Sequence, residues 1–433
     1  MKIAIAGYGV EGEANYNYWT AQPGADLTIV DESKAPKYPL PTGVKTILGI
    51  GAFEKLNGFD LVVRTAGLSP RKIKTDGKIW SATNEFFAKS PAPIIGVTGT
   101  KGKGTTSSMI QSILNAANKK NWLVGNIGTA ALQTLDRIAA TDVVIYEMSS
   151  FQLWDIERSP RVAVVLPIEP DHLNVHDDMQ DYVTAKGGIR RYQKAGDVCV
   201  YHASNEYARA IAVSNQAAPM IRYGIEDDGG VYVKEGNFYV REHIICSVDV
   251  MQVPGQHNIE NACAAMTAVR QLGVSDEAIA DGMRRFTGLP HRIELVRTLE
   301  GVGYYNDSFS SAPSAAVAAI RSFAQPEIVI LGGVDKGADF NELIDVIKAH
   351  HNIKEIILIG RIGPKLHGLM TEAGVTIPLT LLSVTTMSQI VEYVQGRASS
   401  GDVVLLTPGC ASFDMFKDFY DRGDQFRSVV NAL

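Results

Sequence analysis

A chain of 433 residues is too long for one hydrophobic core, and 45% hydrophobic with 20% charged residues describes several ordinary globular units rather than a fibre or a disordered tail. The net charge of −6 excludes a general nucleic-acid binder, whose footprint would be basic, but leaves room for a local anion site. Cys199, Cys246, Cys263 and Cys410 are scattered with no C-x-x-C pair, which disfavours a zinc site or a disulfide framework and suits a reducing cytosol.

In chain order, Lys2 to Ala6 reads as a buried strand and the start of a folded unit, not a signal peptide; no run has the apolar length to span a bilayer. Gly7-Tyr8-Gly9-Val10-Glu11-Gly12 matches G-x-G-x-x-G, and Asp26 to Asp31 is a second strand ending in an acid. This is a Rossmann-type βαβ opening. A helix N-terminus there meets any phosphate, and Asp31 either meets a ribose or base donor or caps a turn. Leu61 to Gly67 is a further strand ending in a glycine turn. Phe86 to Pro93 breaks the periodicity and reads as a linker, with a boundary near residue 90.

Ile94 to Met109, IIGVTGTKGKGTTSSM, is the stretch with the most chemistry. An apolar strand leads into Gly99, Gly102 and Gly104, and then into apolar residues at helical spacing. Strand, glycine loop and helix form the context of a phosphate-binding loop, with Lys103 reaching the phosphates and Thr105 or Thr106 offering a hydroxyl to Mg²⁺. Asp142 to Tyr146 is a strand running into Glu147, where a parallel sheet places a metal ligand. Arg161 to Leu166 is the next buried strand, with His172 beyond it, and Asp181 to Lys186 reads as a helix. Residues 219–253 read as hairpins, and Gly255-Gln256-His257-Asn258 opens a helix through Asn261. Residues 286–291 form a second linker candidate. Beyond it, apolar strands at 303–307, 327–333, 356–360 and 403–406 alternate with helices, again α/β with a mainly parallel sheet.

Taken together the chain resembles the Mur ligases of peptidoglycan synthesis, most closely their glutamate-adding branch, over nearly its whole length. The resemblance rests on the phosphate loop, Gly125-Asn126-Ile127-Gly128, Glu147-Met148-Ser149-Ser150-Phe151-Gln152-Leu153 and Asp171-His172. It continues through Gly255-Gln256-His257-Asn258, Gly288-Leu289-Pro290-His291-Arg292, Asn306-Asp307-Ser308, Leu331-Gly332-Gly333, Thr407-Pro408-Gly409-Cys410-Ala411-Ser412 and Asp414-Met415-Phe416-Lys417.

The resemblance implies three α/β domains: a Rossmann-like UDP-sugar-binding domain over 1–89, a central P-loop ATPase-type parallel sheet over 90–289, and a Rossmann-like amino-acid-binding domain over 290–433. It implies an ATP-dependent, ADP-forming amide ligase that adds glutamate, usually D-glutamate, to UDP-N-acetylmuramoyl-L-alanine through an acyl phosphate. Gly9, Val10, Glu11, Asp31, Gly67, Asn126 and Ser149 would meet the UDP-sugar. Gly99, Thr100, Lys101, Gly102, Lys103, Gly104, Thr105, Thr106, Asn258, Asn261, Arg292 and Asp307 would meet ATP. Thr105, Glu147, His172 and a carbamylated Lys186 would hold Mg²⁺, and Lys103, Glu147, His172 and Lys186 would form the catalytic set. Ser311, Lys336, Ser412 and Phe419 would meet the amino acid. A cytoplasmic monomer with no nucleic-acid partner is expected.

Two departures stand beside this. Lys101 and Gly104 give the loop the look of folylpolyglutamate synthase, a relative without the leading Rossmann-like domain. After Asn-Asp-Ser the D-glutamate branch carries a lysine and a threonine, where this chain has Phe309 and Ser311. L-glutamate or another amino acid, a folylpolyglutamate-synthase-like ligase and a non-catalytic UDP-sugar-binding subunit are therefore the alternatives.

Overall fold

The protein is described from a computed structural model, which covers residues 1–36, 38–226, 229–335, 337–383 and 386–433. The expected amino-acid ligand Lys336 lies outside the described residues. The chain divides into two compact units, one of residues 1–250 and 259–283 and the other of 251–258 and 284–433.

In the first unit, β1 (Lys2–Ala6), β2 (Asp26–Asp31), β3 (Lys45–Leu48), β4 (Leu61–Arg64) and β5 (Lys78–Ser81) form a parallel sheet in the order β3-β2-β1-β4-β5. The order reverses at β1, so the turn between β1 and α1 (Val10–Thr20) opens into the crevice such a reversal leaves. Gly12 lets α1 lie directly on that turn, since a Cβ there would fall 2.2 Å from the Gly7 carbonyl oxygen.

A second parallel sheet contains β6 (Ile94–Thr98), β7 (Asn121–Gly125), β8 (Val143–Glu147), β9 (Val162–Val165), β10 (Val198–His202) and β11 (Met220–Tyr223), ordered β11-β10-β9-β6-β8-β7. Its switch point is β6, which is why the phosphate loop, on the way to α3 (Lys103–Ala116), sits at the sheet's crevice. β6, β8 and β9 are buried along their length and so read as unbroken apolar runs. α4 (Ser150–Leu153) and α5 (Met179–Lys186) flank this sheet's carboxyl edge. A small antiparallel sheet, β12 (Val231–Lys234), β13 (Asn237–Val240) and β14 (His243–Ser247), supplies the expected hairpins.

The stretch expected as a linker at 86–93 is helix for half its length. α2 (Ala82–Lys89) is capped by Ser81, whose Oγ accepts the Asn84 N–H at 3.1 Å. Phe86 and Phe87 pack their rings 5.5 and 5.4 Å from Tyr146. Burying a phenylalanine is worth about 1.5–3 kcal/mol, and this tertiary partner, invisible to local periodicity, holds the helix down.

The second unit is one sheet, β15 (Glu294–Leu299), β16 (Val302–Asn306), β17 (Glu327–Gly332), β18 (Ile353–Ile359), β19 (Leu379–Leu381) and β20 (Val403–Leu406), in the order β15-β16-β20-β17-β18-β19. β15 is an antiparallel edge and the other pairings are parallel. Apolar layers cover both faces, so the expected α/β class holds throughout. Among the described residues no helix is long and apolar enough to cross a membrane.

Candidate active site

Gly99 and Gly102 make the turn after β6 feasible. Gly99 has φ +155°, with Leu166 Cβ where its own Cβ would stand at 2.6 Å; Gly102 has φ +81° and Asn261 Oδ1 at 2.3 Å. The loop then enters α3 at Gly102 with no side-chain cap, which leaves the helix's first N–H groups without an intrahelical acceptor. Lys103 folds back, Nζ donating to the carbonyls of Gly99 at 3.1 Å and Thr100 at 2.9 Å. Lys186, the last residue of α5, donates its Nζ to the same Gly99 carbonyl at 2.8 Å. Lys186 is buried, with Nζ 4.6 Å from the centre of the Tyr182 ring. Burial first, then the charge of Lys103, pushes its pKa well below the lysine range, against Asp171 and Glu147. Thr100 ties the loop to the next segment, its N–H donating to Pro167 O at 3.0 Å and its Oγ1 accepting the Glu169 N–H at 2.9 Å. Lys101 points outward onto Glu169. Thr106 donates to Asn261 Oδ1 at 3.2 Å, while Thr105 is half-buried and Gly104 lies within α3.

β8 ends on Glu147, which is buried. Asn126 grips it twice: its N–H donates to the Glu147 carbonyl at 3.1 Å and its Nδ2 to the carboxylate Oε1 at 3.0 Å. Ser149 caps α4 reciprocally with Gln152, accepting its N–H at 3.3 Å. His172 stands in a loop beyond β9 at φ +54°, its Nε2 3.4 Å from Asp171 Oδ2 and its ring 5.0 Å from Phe151. Burial lowers the His172 pKa, opposed by Asp171 and reinforced by Lys186 and Lys103. Lys103, Glu147, His172 and Lys186 thus share one electrostatic neighbourhood.

These residues fit a nucleotide and a magnesium ion. A Cβ at Gly99 or Gly102 would strike Leu166 or Asn261, so the close turn requires glycine, and the amino nitrogens of Lys103 and Lys186 both reach its Gly99 carbonyl. Glu147 and Thr105 supply oxygen donors and His172 an imidazole nitrogen, and the neutral Lys186 amine, the form that burial favours, is the one that takes up CO₂. No group of three His, Cys, Asp or Glu that could hold a metal ion is present among the described residues.

At the turn after β1, Gly9 stands at the N-cap of α1 and Val10 is exposed. The Glu11 carboxylate accepts the Ala66 N–H at 2.7 Å and is raised in pKa by burial. Asp31 accepts the N–H groups of Tyr8 at 2.7 Å and Ser33 at 2.8 Å, tying both glycine turn and strand end. Gly67 lies in a turn closed by the Leu68 N–H on Thr65 O at 3.0 Å. The residue missed by sequence reading is Arg64. Its buried guanidinium donates to the Asp155 carboxylate at 2.7 and 2.5 Å, to Phe151 O at 2.7 Å and to the carbonyls of Thr65, Ala66 and Leu68. The signal was a charged residue closing an otherwise apolar strand.

In the second unit, Asn258 Nδ2 donates to Pro254 O at 2.6 Å. Burial raises the Asp307 carboxyl to about 7, although Thr407 Oγ1 at 2.8 Å, the Ile293 N–H at 3.2 Å, Arg292 and Arg422 oppose the shift. The Arg292 guanidinium lies 3.7 Å from the centre of the Phe309 ring, and Phe309 meets Phe419 edge-on at 5.0 Å. Ser311 donates to Phe309 O at 3.0 Å, and Ser412 is buried, accepting the Phe416 N–H on its carbonyl at 3.0 Å.

The Mur ligase middle domain matches residues 97–269, and the Mur ligase glutamate ligase domain matches residues 291–410. A UDP-N-acetylmuramoylalanine–D-glutamate ligase of Acetivibrio thermocellus is 36% identical over 454 residues, covering 100% of this chain and 96% of the relative. The chain belongs to the Mur ligase family. As expected of a Mur ligase, its fold matches that of a UDP-N-acetylmuramate–alanine ligase from Thermotoga maritima, with a TM-score of 0.61 at 15% identity, covering 100% and 99% of the two chains. A Mur ligase of T. maritima solved with ADP gives 0.59 at 17% identity, covering 99% and 95%. This Mur ligase therefore carries the phosphate loop within the matched middle domain, and Arg292, Asp307 and Ser311 within the matched glutamate ligase domain.

Proposed function

We propose that this Mur ligase uses ATP to activate the carboxylate of UDP-N-acetylmuramoyl-L-alanine and joins it to the amine of glutamate, D-glutamate first, in the cytoplasm and as a monomer. The observation that carries the reading is the pair of lysines on the Gly99 carbonyl beside the buried Glu147. The full-length likeness to a relative named for D-glutamate, and the fold shared with a relative solved with ADP, support it.

A free carboxylate is a poor acylating agent. Transfer of the γ-phosphoryl group to it makes an acyl phosphate, the amine attacks the acyl carbon, and the tetrahedral adduct collapses to amide and phosphate. The work is positioning and charge neutralisation. The α3 N-terminus and the loop N–H groups hold the phosphates, and Lys103 turns from the loop carbonyls to the oxygens on which charge develops. Mg²⁺, when bound by Thr105, Glu147, His172 and a carbamylated Lys186, supplies further neutralisation of phosphate charge. Asn126 keeps the Glu147 carboxylate aimed. The turn after β1 would receive the UDP-sugar, Asn258, Asn261, Arg292 and Asp307 would serve the nucleotide, and Ser311, Lys336, Ser412 and Phe419 the amino acid, with the domains spanning 1–89, 90–289 and 290–433. Phe309 favours a second reading, L-glutamate or another amino acid, because the group under Arg292 is a ring and not an ammonium.

The test is phosphate release from ATP with UDP-N-acetylmuramoyl-L-alanine against D-glutamate, L-glutamate and a panel of amino acids. Release with D-glutamate alone is expected. Release with L-glutamate alone moves the specificity and keeps the chemistry. Saturable UDP-sugar binding without release under any amino acid would overturn the ligase reading.

A further inference from the structure

One enclosed polar cluster lies outside every residue assigned above. His176 packs against Phe151, with ring centroids 5.6 Å apart and 4° between planes, and against Trp154, at 4.5 Å and 29°, and those two rings are 6.4 Å from each other. Its Nδ1 is 3.0 Å from Asp181 Oδ2 and its Nε2 is 3.0 Å from Ser150 Oγ. A carboxylate only accepts, so Nδ1 donates to Asp181, and Nε2 shares its hydrogen bond with the Ser150 hydroxyl. Its backbone N–H donates to His172 O at 3.0 Å. Asp181 belongs to α5, the helix that ends on Lys186, and Ser150 opens α4 just after Glu147. Asp181 also accepts Arg71 Nη2 at 2.6 Å, and Arg71 Nη1 lies 2.7 Å from Asp177. Arg71 follows the Gly67 turn of the first sheet.

Glu147 is locked by β8, whereas His172 lies in a loop and Lys186 ends a helix. Their mutual placement therefore depends on ties between the segments, and one residue makes a tie to all three: the His176 imidazole to Ser150 and Asp181, and its backbone N–H to the His172 turn. A ring hydrogen-bonded at both nitrogens and packed against two aromatic neighbours is stiff, which is what a group placed to set the spacing of others requires. We propose that His176 is a positioning residue for phosphoryl transfer: it keeps the loop after Glu147, the His172 turn and the Lys186 helix in register, and Arg71 extends the tie to the first sheet. The proposal rests on the reading of that cluster as the Mg²⁺–ATP site.

His176→Phe keeps a ring against Phe151 and Trp154 and removes both side-chain hydrogen bonds; Ser150→Ala removes one. Calorimetric binding of ATP to the full chain, with and without Mg²⁺ and with no UDP-sugar or amino acid present, reads the site independently of turnover. Loss of a supporting hydrogen bond behind metal ligands costs about 10–100-fold in metal affinity, so Mg²⁺-dependent ATP binding should weaken at least about tenfold in His176→Phe and less in Ser150→Ala, with Mg²⁺-free binding nearly unchanged. In phosphate release, kcat should fall while KM for the UDP-sugar stays. Unchanged Mg²⁺ dependence in both variants overturns the proposal. So does an equal loss with and without Mg²⁺ that follows a lowered unfolding temperature. If His176→Phe does not fold, Ser150→Ala decides alone. Absence of Mg²⁺-dependent ATP binding in the unsubstituted chain overturns the site reading itself, and the proposal with it.

Discussion

Two glycine turns stand at the switch points of two parallel sheets and share a backbone plan, yet they carry opposite charge. After β1, the carboxylates of Glu11 and Asp31 occupy the N–H groups of Ala66, Tyr8 and Ser33. After β6, the amino groups of Lys103 and Lys186 occupy the carbonyls of Gly99 and Thr100. The glycine pattern decides only that the chain can turn closely into a helix; the side chains gathered around the turn decide what it receives. The first turn has in-chain anions on neighbouring N–H groups, which suits directional recognition of a polar nucleoside. The second holds two lysine amino groups on one carbonyl, with Lys103 the less buried of the two, which suits a phosphate group.

The largest way to break the contrast is Lys103→Ala. Removing a donor aimed at developing charge costs about 10²–10³-fold in turnover, so phosphate release should collapse by that factor while the thermal unfolding midpoint stays put. Gly102→Ala comes next. At φ +81°, with Asn261 Oδ1 2.3 Å from the new Cβ, it should cost about 1–3 kcal/mol of stability by urea unfolding, and weaken ATP binding as well. Asp31→Ala leaves the Tyr8 and Ser33 N–H groups without their acceptor and should cost about 1–2 kcal/mol, read the same way.

The two turns should also answer pH with opposite slopes in urea midpoints. The buried Glu11 has a raised pKa, so its contribution is complete in acid and is lost as pH rises from the ordinary carboxylate range through its raised value. Glu11→Gln should flatten that fall. Lys186 has a lowered pKa, so stability instead rises with pH between its lowered value and the ordinary lysine range, and Lys186→Met should flatten that rise. The smallest effect belongs to Gly9→Ala. With nothing within 4 Å of the new Cβ and φ −104°, it should stay within about 0.5 kcal/mol of the parent, and a larger loss would show that the first turn is as tightly built as the second.

Much of this was legible in the residues. The strands β1, β2, β6, β8, β9, β17 and β20 stand where unbroken apolar runs predict them, because a strand buried on both faces leaves no alternation to misread. Lys103 and Glu147 were legible too, one by its place after glycines and the other by ending a strand. Asp31 was only half legible. Its position after β2 was clear, but its two backbone hydrogen bonds came with the coordinates. α2 was misread because Phe86 and Phe87 answer to Tyr146, far along the chain.

The sequence by itself determined the α/β class, the two glycine turns and the identity of the lysines and carboxylates near them, since glycine's freedom at positive φ and the apolarity of buried strands are properties of neighbouring residues. Only the tertiary structure decided which charges those turns hold, that Arg64 closes on Asp155, and that His176 joins Ser150 to Asp181. Those are pairings between residues remote along the chain, and a buried polar group's partner is chosen by which elements pack together, which no local pattern encodes.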